Sequence, residues 1–329
     1  MKHFTKFFLA TCIIFTVVFT PALALIEKAS EITIFSPPET ILQEELAVLY
    51  DEKSPFFEAF TNSKRVNVLV MGVNTNLTDT LMLVSYDMNA QQIDLISIPR
   101  DTFYERNSSD APSYKKINAA HHDGVLGSAH AVSDLLMGIP INYYVLIDYD
   151  GVRNIVDAIG GVPMDIPFRM YYTDPYDKPP LKIDLQKGEQ ILDGDQAMQF
   201  LRFRKGNKGY AGYTEGDIGR IEAHQEFIKS AFKQCLSNLP AAIDSVLKNV
   251  ESDLTLGKAL NIATNATGLN SDSLHTYTIP GEARNGEGGL SFFFSDEEGI
   301  KEMLTQIYSV EPETTDDENS ENPNETPTE

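Results

Sequence analysis

Three arginines in this sequence, Arg202, Arg204 and Arg220, have the types and spacing to handle a phosphorylated ligand. Leu201-Arg202-Phe203-Arg204 alternates with a period of two, so in an extended chain both guanidinium groups would leave one face. A solvated edge strand would show the same pattern. A few residues on, Thr214-x-x-Asp217 resembles a helix-start signature with Asp in place of the usual Glu. Arg220 then falls in the first turn, where a cation is unfavourable against the helix dipole unless an anion is bound. Helix-start amides joined by arginine forks would make a diphosphate site, because guanidinium groups grip phosphate oxygens two at a time. Arg220 and His224 are four apart and share a helix face, although a lone histidine there reads first as a surface residue.

Two further clusters are weaker on their own. Ser97-Ile98-Pro99-Arg100-Asp101-Thr102 ends an apolar run with a proline, which would leave Arg100 at a sheet edge. Arg100 beside Asp101 could equally be a surface ion pair, worth roughly 0–1 kcal/mol. Asn74 to Thr80 (NTNLTDT) lies between two apolar runs, with Asp79 just before the second. A carboxylate at a strand edge beside Asn can hold a hard cation through oxygen, but Asx residues also serve ordinary turns.

The elements that must position these residues can be read from hydrophobic spacing. Val66 to Gly72, Leu81 to Tyr86 and Ile93 to Ile98 each fit a strand. Ala119 to Met137 reads as a helix, Ile141 to Ile147 as a strand and Val152 to Ile159 as a short helix. The turn Gly160-Gly161 and a strand at Val162 to Ile166 follow. Gly194 to Phe200 suggests one or two helical turns before an extended Leu201 to Arg204, and Asp217 to Leu236 is an amphipathic helix. Strands mixed with helices imply an α/β domain, and the hairpin-like pairs early on make its sheet mixed.

Charge and compartment narrow the function further. The 329 residues carry 26 Lys+Arg against 48 Asp+Glu, a net charge of −22, which argues against a general nucleic-acid binder. Eight of the acidic residues lie in the last 19, a Pro/Thr/Glu-rich tail (311–329) read as disordered on composition. Between Leu201 and Lys233 the balance reverses, with seven Lys/Arg against four acidic residues. Lys2 and Lys6 precede an uncharged run of 20 residues, Phe7 to Ile26, long enough to span a bilayer core. Residues 1–26 therefore read as a membrane anchor with the rest exported, or as a signal peptide cleaved near Ala24. Cys235 is the one cysteine beyond that run, so the exported part can form no internal disulfide. Residues 27–63, with helix-like spacing from Glu39 to Phe60 interrupted at Ser54-Pro55, read as a stalk or accessory helical segment.

At this point the motifs resemble a family. The order VNVLVMGVN, TDTLMLVSYD, ISIPRDT, KINAA, INYYVLIDYDGVRNIVDAIGGVPMDIP, IDLQKGEQILDGDQAMQFLRFR and DIGRIEAHQEFI is similar to that of the LytR–CpsA–Psr bacterial cell-wall enzymes. The resemblance covers about Lys64 to Lys233 and implies a domain at 64–310 built as an α/β/α sandwich, a mixed central sheet flanked by helices, with an apolar lipid cleft. It implies a phosphotransferase that moves a glycopolymer, such as teichoic acid or capsule, from a polyprenyl-pyrophosphate carrier to peptidoglycan at the bacterial membrane. Arg100, Arg202, Arg204 and Arg220 would clamp the pyrophosphate, Asp217 would orient the Arg220 region, and Arg100 and Asp79 would take part in the chemistry. Asp79 would ligate Mg²⁺, with Asn74 a weak second ligand because the family usually has an aspartate there. Leu77 stands where an arginine is usual, and Ala223-His224-Gln225 replaces an Arg-Gln-Gln run. Those departures leave open a weakened member that binds polyprenyl (pyro)phosphate lipids, or a hydrolase of the same lipid.

Overall fold

Three consecutive short apolar runs make antiparallel neighbours: β1 (Arg65–Asn74), β2 (Leu77–Asp87) and β3 (Gln92–Ile98), the last buried on both faces toward its end. The computed structural model describes residues 52–74, 77–107, 111–177, 180–214, 217–237, 245–246, 248–266 and 268–309. The N-terminal apolar run, most of the stalk and the acidic tail lie outside the described residues. Among the described residues no helix is long and apolar enough to cross a membrane.

The central sheet is mixed, as expected. With β4 (Tyr143–Ile147), β9 (Glu251–Ser252) and β10 (Leu274–Thr278), the strand order is β10-β3-β2-β1-β4-β9. β4 runs parallel to β1 and β10 parallel to β3, while the other pairings are antiparallel. One face of the sheet carries Leu69, Met71, Leu81 and Leu83, all essentially inaccessible. They pack with residues of α1 (Phe57–Asn62), α2 (Gly124–Leu135) and α6 (Glu297–Tyr308), including Phe60, Val132, Ile300 and Leu304, in one apolar cluster. Phe56 and Phe60 belong to that cluster, and the Ser54 hydroxyl donates to the Met137 carbonyl. The end of the supposed stalk is thus part of the domain core.

The helix expected at 119–137 is divided. A 3₁₀ segment, Ile117–Asp123, gives way to α2 at Gly124, whose φ of +77° suits glycine.

A second apolar cluster lies beyond the sheet's other face. It includes Val156 of α3 (Tyr149–Ala158), Phe200 of α4 (Gly194–Arg202), Phe227 of α5 (Asp217–Ser237) and Phe203, which follows α4. Around it lie β5 (Val162–Ile166) paired with β8 (Gly188–Leu192), and the hairpin β6 (Met170–Asp174) with β7 (Leu181–Leu185). The β6–β7 hairpin and β8 go beyond the sequence expectation.

Leu201–Arg204 is not a strand. Asp193 and Gln196 form a capping box that starts α4, and the buried Ala197, Met198 and Phe200 keep it helical through Arg202. Phe203 then turns extended (φ −74°, ψ 131°) with its ring wholly buried.

Candidate functional site

Between the two apolar clusters lies a cleft of about 710 Å³, a size ordinary for a small-molecule site. Its floor is the sheet face opposite the main core: Val70 and Gly72 of β1, Thr80 and Met82 of β2. Its opposite wall offers Val152, Met198, Leu201, Phe227 and Ile228, so much of the lining is apolar. Five of the residues singled out by sequence, Arg100, Arg202, Arg204, Arg220 and Asp79, all line this one cavity.

Asp79 reaches it through a fault in the strand ladder. Gly72 pairs with Thr80 and Val73 with Thr78, so Asp79 is the extra residue of a β-bulge. Alternation alone would put Asp79 on the same face as Leu81, in the core. The bulge re-aims it, as bulges beside functional sites commonly do, and leaves its carboxylate one-third exposed to the cleft. A side chain at Gly72 would crowd this place, since a Cβ there would come within 3.1 Å of the Thr80 Cβ.

Arg100 follows Pro99 at the end of β3 and donates from Nη1 to Asp79 Oδ1 at 2.7 Å. The other oxygen, Oδ2, accepts from the Tyr149 hydroxyl at 3.2 Å. Arg202 ends α4 and donates from Nη2 to Asp177 at 2.6 Å, while its guanidinium stacks over the Tyr149 ring, 4.9 Å from the centroid. The two arginines of the 202–204 pair thus share the cleft for a different reason from the expected one. The helix stops between them, and burial of Phe203 fixes where each departs. Arg204 is exposed at the mouth, and Arg220 sits in the first turn of α5, as expected.

The histidine is more than a surface residue. His224 Nε2 lies 2.8 Å from the Leu201 carbonyl, which can only accept, so Nε2 carries the hydrogen. That bond ties α5 to the last turn of α4, where Arg202 leaves. The neighbouring Gln225 Nε2 lies 2.9 Å from the Tyr277 carbonyl and within reach of the Ser97 and Thr278 hydroxyls, fastening α5 to β3 and β10. Tyr213 packs edge-on against Phe168 and Phe203. Burial pushes its hydroxyl pKa up, and the Arg220 charge pulls the other way.

The chain belongs to the LytR–CpsA–Psr family. The family model matches residues 36–309. The chain is 27% identical over 268 residues to the polyisoprenyl-teichoic acid–peptidoglycan teichoic acid transferase TagV of Bacillus subtilis, over 76% of this chain and 66% of that protein. It thus spans just under two thirds of that relative's length. It is 28% identical over 272 residues to the transferase TagU of Oceanobacillus iheyensis, over 78% of this chain and 76% of that one. The crystal structure of B. subtilis TagV aligns with a TM-score of 0.61 at 24% identity, covering 76% of this chain and all of that one. The fold of this family member is therefore the mixed α/β architecture expected from its motifs.

Two candidates resist placement. Asn74 closes β1 opposite Leu77 and Asp217 opens α5, but their side chains lie outside the described residues. Among the described residues no group of three or more His, Cys, Asp or Glu side chains is gathered for a metal. Several cleft residues escaped the sequence reading, among them Asp148, Tyr149, Tyr172, Asp174, Asp177 and Lys205. Tyr149 carried a signal in hindsight, since it follows directly on a parallel strand next to β1, and ligands of α/β sheets gather at the carboxyl ends of such strands.

Proposed function

We propose that this protein is a transferase that moves a teichoic-acid-type glycopolymer from a polyprenyl-diphosphate carrier to peptidoglycan. The observation that carries the reading is the convergence of four arginines and Asp79 on one cavity whose remaining lining is largely apolar. An apolar trough with a cationic end matches a lipid diphosphate in both parts. Burial of the prenyl tail supplies affinity at about 0.8 kcal/mol per CH₂, which leaves the arginines to position the diphosphate.

In the transfer, an acceptor hydroxyl oxygen attacks the phosphorus that bears the glycopolymer and releases its proton to solvent, the bond between the two phosphates breaks, and polyprenyl phosphate departs with the negative charge. Arg100, Arg202, Arg204 and Arg220 stabilise that charge where the apolar walls exclude water. Asp79 is the residue to hold magnesium. Such ions are commonly bound by one or two carboxylates plus substrate phosphates rather than by a protein cage. A single cleft-facing carboxylate fits that pattern in company with the diphosphate. When bound, the ion would act as a Lewis acid on the phosphoryl oxygens. The exported domain would meet its lipid at the membrane face, tethered by the N-terminal run.

The test is glycopolymer transfer from a polyprenyl-diphosphate donor to peptidoglycan, with and without Mg²⁺. Wall-linked product that falls at least tenfold with Arg100→Ala and on chelation is expected. Activity indifferent to both would remove the clamp and the metal together. Asn74, an amide where the family usually has an acid, favours a second reading as a lipid-binding member with little turnover. Prenyl-diphosphate lipid retained in native mass spectrometry without any transfer would establish it, whereas release of free glycan would point to hydrolysis.

A further inference from the structure

We infer that Tyr149 is a positioning residue that couples the two walls of the cleft, holding Asp79 through its hydroxyl and Arg202 through its ring. The inference rests on the diphosphate reading of the cleft and adds a residue which that reading leaves without a role. Tyr149 opens α3 directly after β4, and its place is fixed from three sides. The register pairs Ile147 with Gly72, so the chain leaves the sheet level with the bulge that presents Asp79. Asp148 caps the helix by accepting from the Gly151 amide at 2.7 Å. Gly151 itself packs so closely that a Cβ there would lie 2.4 Å from the Asn249 carbonyl oxygen. The backbone that carries the ring can therefore drift little.

From that position Tyr149 touches both walls at once. Its hydroxyl donates to Asp79 Oδ2 at 3.2 Å, while Asp79 Oδ1 accepts from Arg100. The Arg202 guanidinium lies over the ring at 4.9 Å and donates from Nη2 to Asp177 at 2.6 Å. The result is a continuous sequence of contacts, Arg100–Asp79–Tyr149–Arg202–Asp177, running from β3 to the β6–β7 hairpin. Each contact leaves the working edge of its partner usable. A stacked guanidinium still presents in-plane donors to phosphate. A carboxylate that accepts one bond on each oxygen keeps further lone pairs for a cation. Arg202 and Asp79 come from separately packed parts of the molecule, so without a common support their spacing would depend on two flexible side chains. Holding charged groups in place before the substrate arrives is what makes them effective on a developing charge.

The two contacts predict different losses. In the full-length protein, Tyr149→Phe keeps the ring and removes the hydroxyl. It should leave binding of farnesyl diphosphate, measured by calorimetry, within about twofold of wild type, and lower kcat for transfer about tenfold with little change in donor KM. Tyr149→Leu removes both contacts and should also weaken farnesyl diphosphate binding roughly fivefold. If that weakening acts through Arg202, it should shrink to less than about twofold in an Arg202→Ala background. Full additivity of Tyr149→Leu with Arg202→Ala would overturn the coupling, and so would equal effects of Phe and Leu on both kcat and binding. A wild-type chain that binds farnesyl diphosphate but transfers nothing would sink the transferase reading alone, with the binding cycle still deciding the bridge. One that binds none would overturn the diphosphate site and the bridge together.

Discussion

On one wall of the cleft, Asp79 and Arg100 are carried by strands of 11 and 7 residues whose other face is sealed against the larger core. On the other wall, Arg202, Arg204 and Arg220 sit at a helix end, in a loop and in a helix's first turn, around a smaller cluster built by short hairpins and helix ends. Apart from the bulge that turns out Asp79, the sheet wall is specified by a repeating strand pattern, so most of its residues share their placement with their ladder partners. The helical wall is specified by residues each acting once, the buried Phe203 and the bond from His224 to Leu201. Damage should therefore spread differently. A core mutation on the sheet side should cost stability but leave the site's geometry in the molecules that remain folded. The same kind of mutation on the other side should reach the arginines.

The sharpest test pairs two wholly buried residues, Phe203 and Leu83. Phe203→Ala is expected to cost about 3–5 kcal/mol and Leu83→Ala about 2–5 kcal/mol, both read by chemical denaturation. The contrast lies in farnesyl diphosphate binding per folded molecule, retained in Leu83→Ala and lost in Phe203→Ala because Arg202 and Arg204 both take their direction from that ring. Equal binding in the two variants would break the comparison.

A second test loads the sheet wall with a large electrostatic cost. Arg65 and Asp94 form a nearly inaccessible pair at 2.6 Å, and Arg65 also donates to the Ile307 carbonyl. Asp94→Ala leaves the buried guanidinium with only its longer ion pair, to Asp87 at 3.5 Å, and should cost about 3 kcal/mol. Asp94 lies toward the start of β3 and Arg100 beyond its end, so diphosphate affinity should stay within about twofold. A larger loss would mean that the sheet transmits damage along its strands, against the view taken here.

What could be read in the sequence divides along the same line. The strands β1 to β3 follow from short β-rich apolar runs between turn residues, and the resemblance of separated motifs named four arginines that all line one cleft. The bulge escaped because a period-two pattern has no symbol for one extra residue. The polar run Thr78-Asp79-Thr80 ahead of Leu81 was its trace. Arg202 and Arg204 were recognised as partners for a wrong reason. Their spacing fits a strand, but the capping box at Asp193 and the apolar spacing of Ala197, Met198 and Phe200 carry the helix through Arg202. Tyr149 and Asp177 were missed because both act across the cleft, between segments far apart in sequence. The β6–β7 hairpin had a local signal in Tyr171-Tyr172-Thr173, residue types that favour strands.

A smaller effect checks whether the helical wall depends on single residues. Asp193→Ala removes the half of the capping box in which the Asp193 carboxylate accepts from the Gln196 amide, while the amide of residue 193 can still donate to Gln196 Oε1, and should cost about 1 kcal/mol. Since the cap lies at the opposite end of α4 from Arg202, unfolding should shift while diphosphate binding stays within about twofold. A tenfold loss of binding would show that α4 moves as one body and that the arginine is sensitive to the whole helix.

The smallest effect concerns Cys235, near the end of α5 and packed against the second cluster. Burial pushes its thiol pKa up, and only the thiolate reacts. In a Cys12→Ser background, modification by Ellman's reagent should therefore run slower than that of free cysteine at pH 8. The sign is set by the direction of the shift. The rate for free cysteine levels off once pH passes its pKa of about 8.5, whereas the Cys235 rate should still be climbing there. Unfolding in denaturant should bring the two together. If the native rate already equals that of free cysteine, the last turns of α5 open readily, and the helix that carries Arg220 is held at its first half alone, by the contacts of His224 and Gln225.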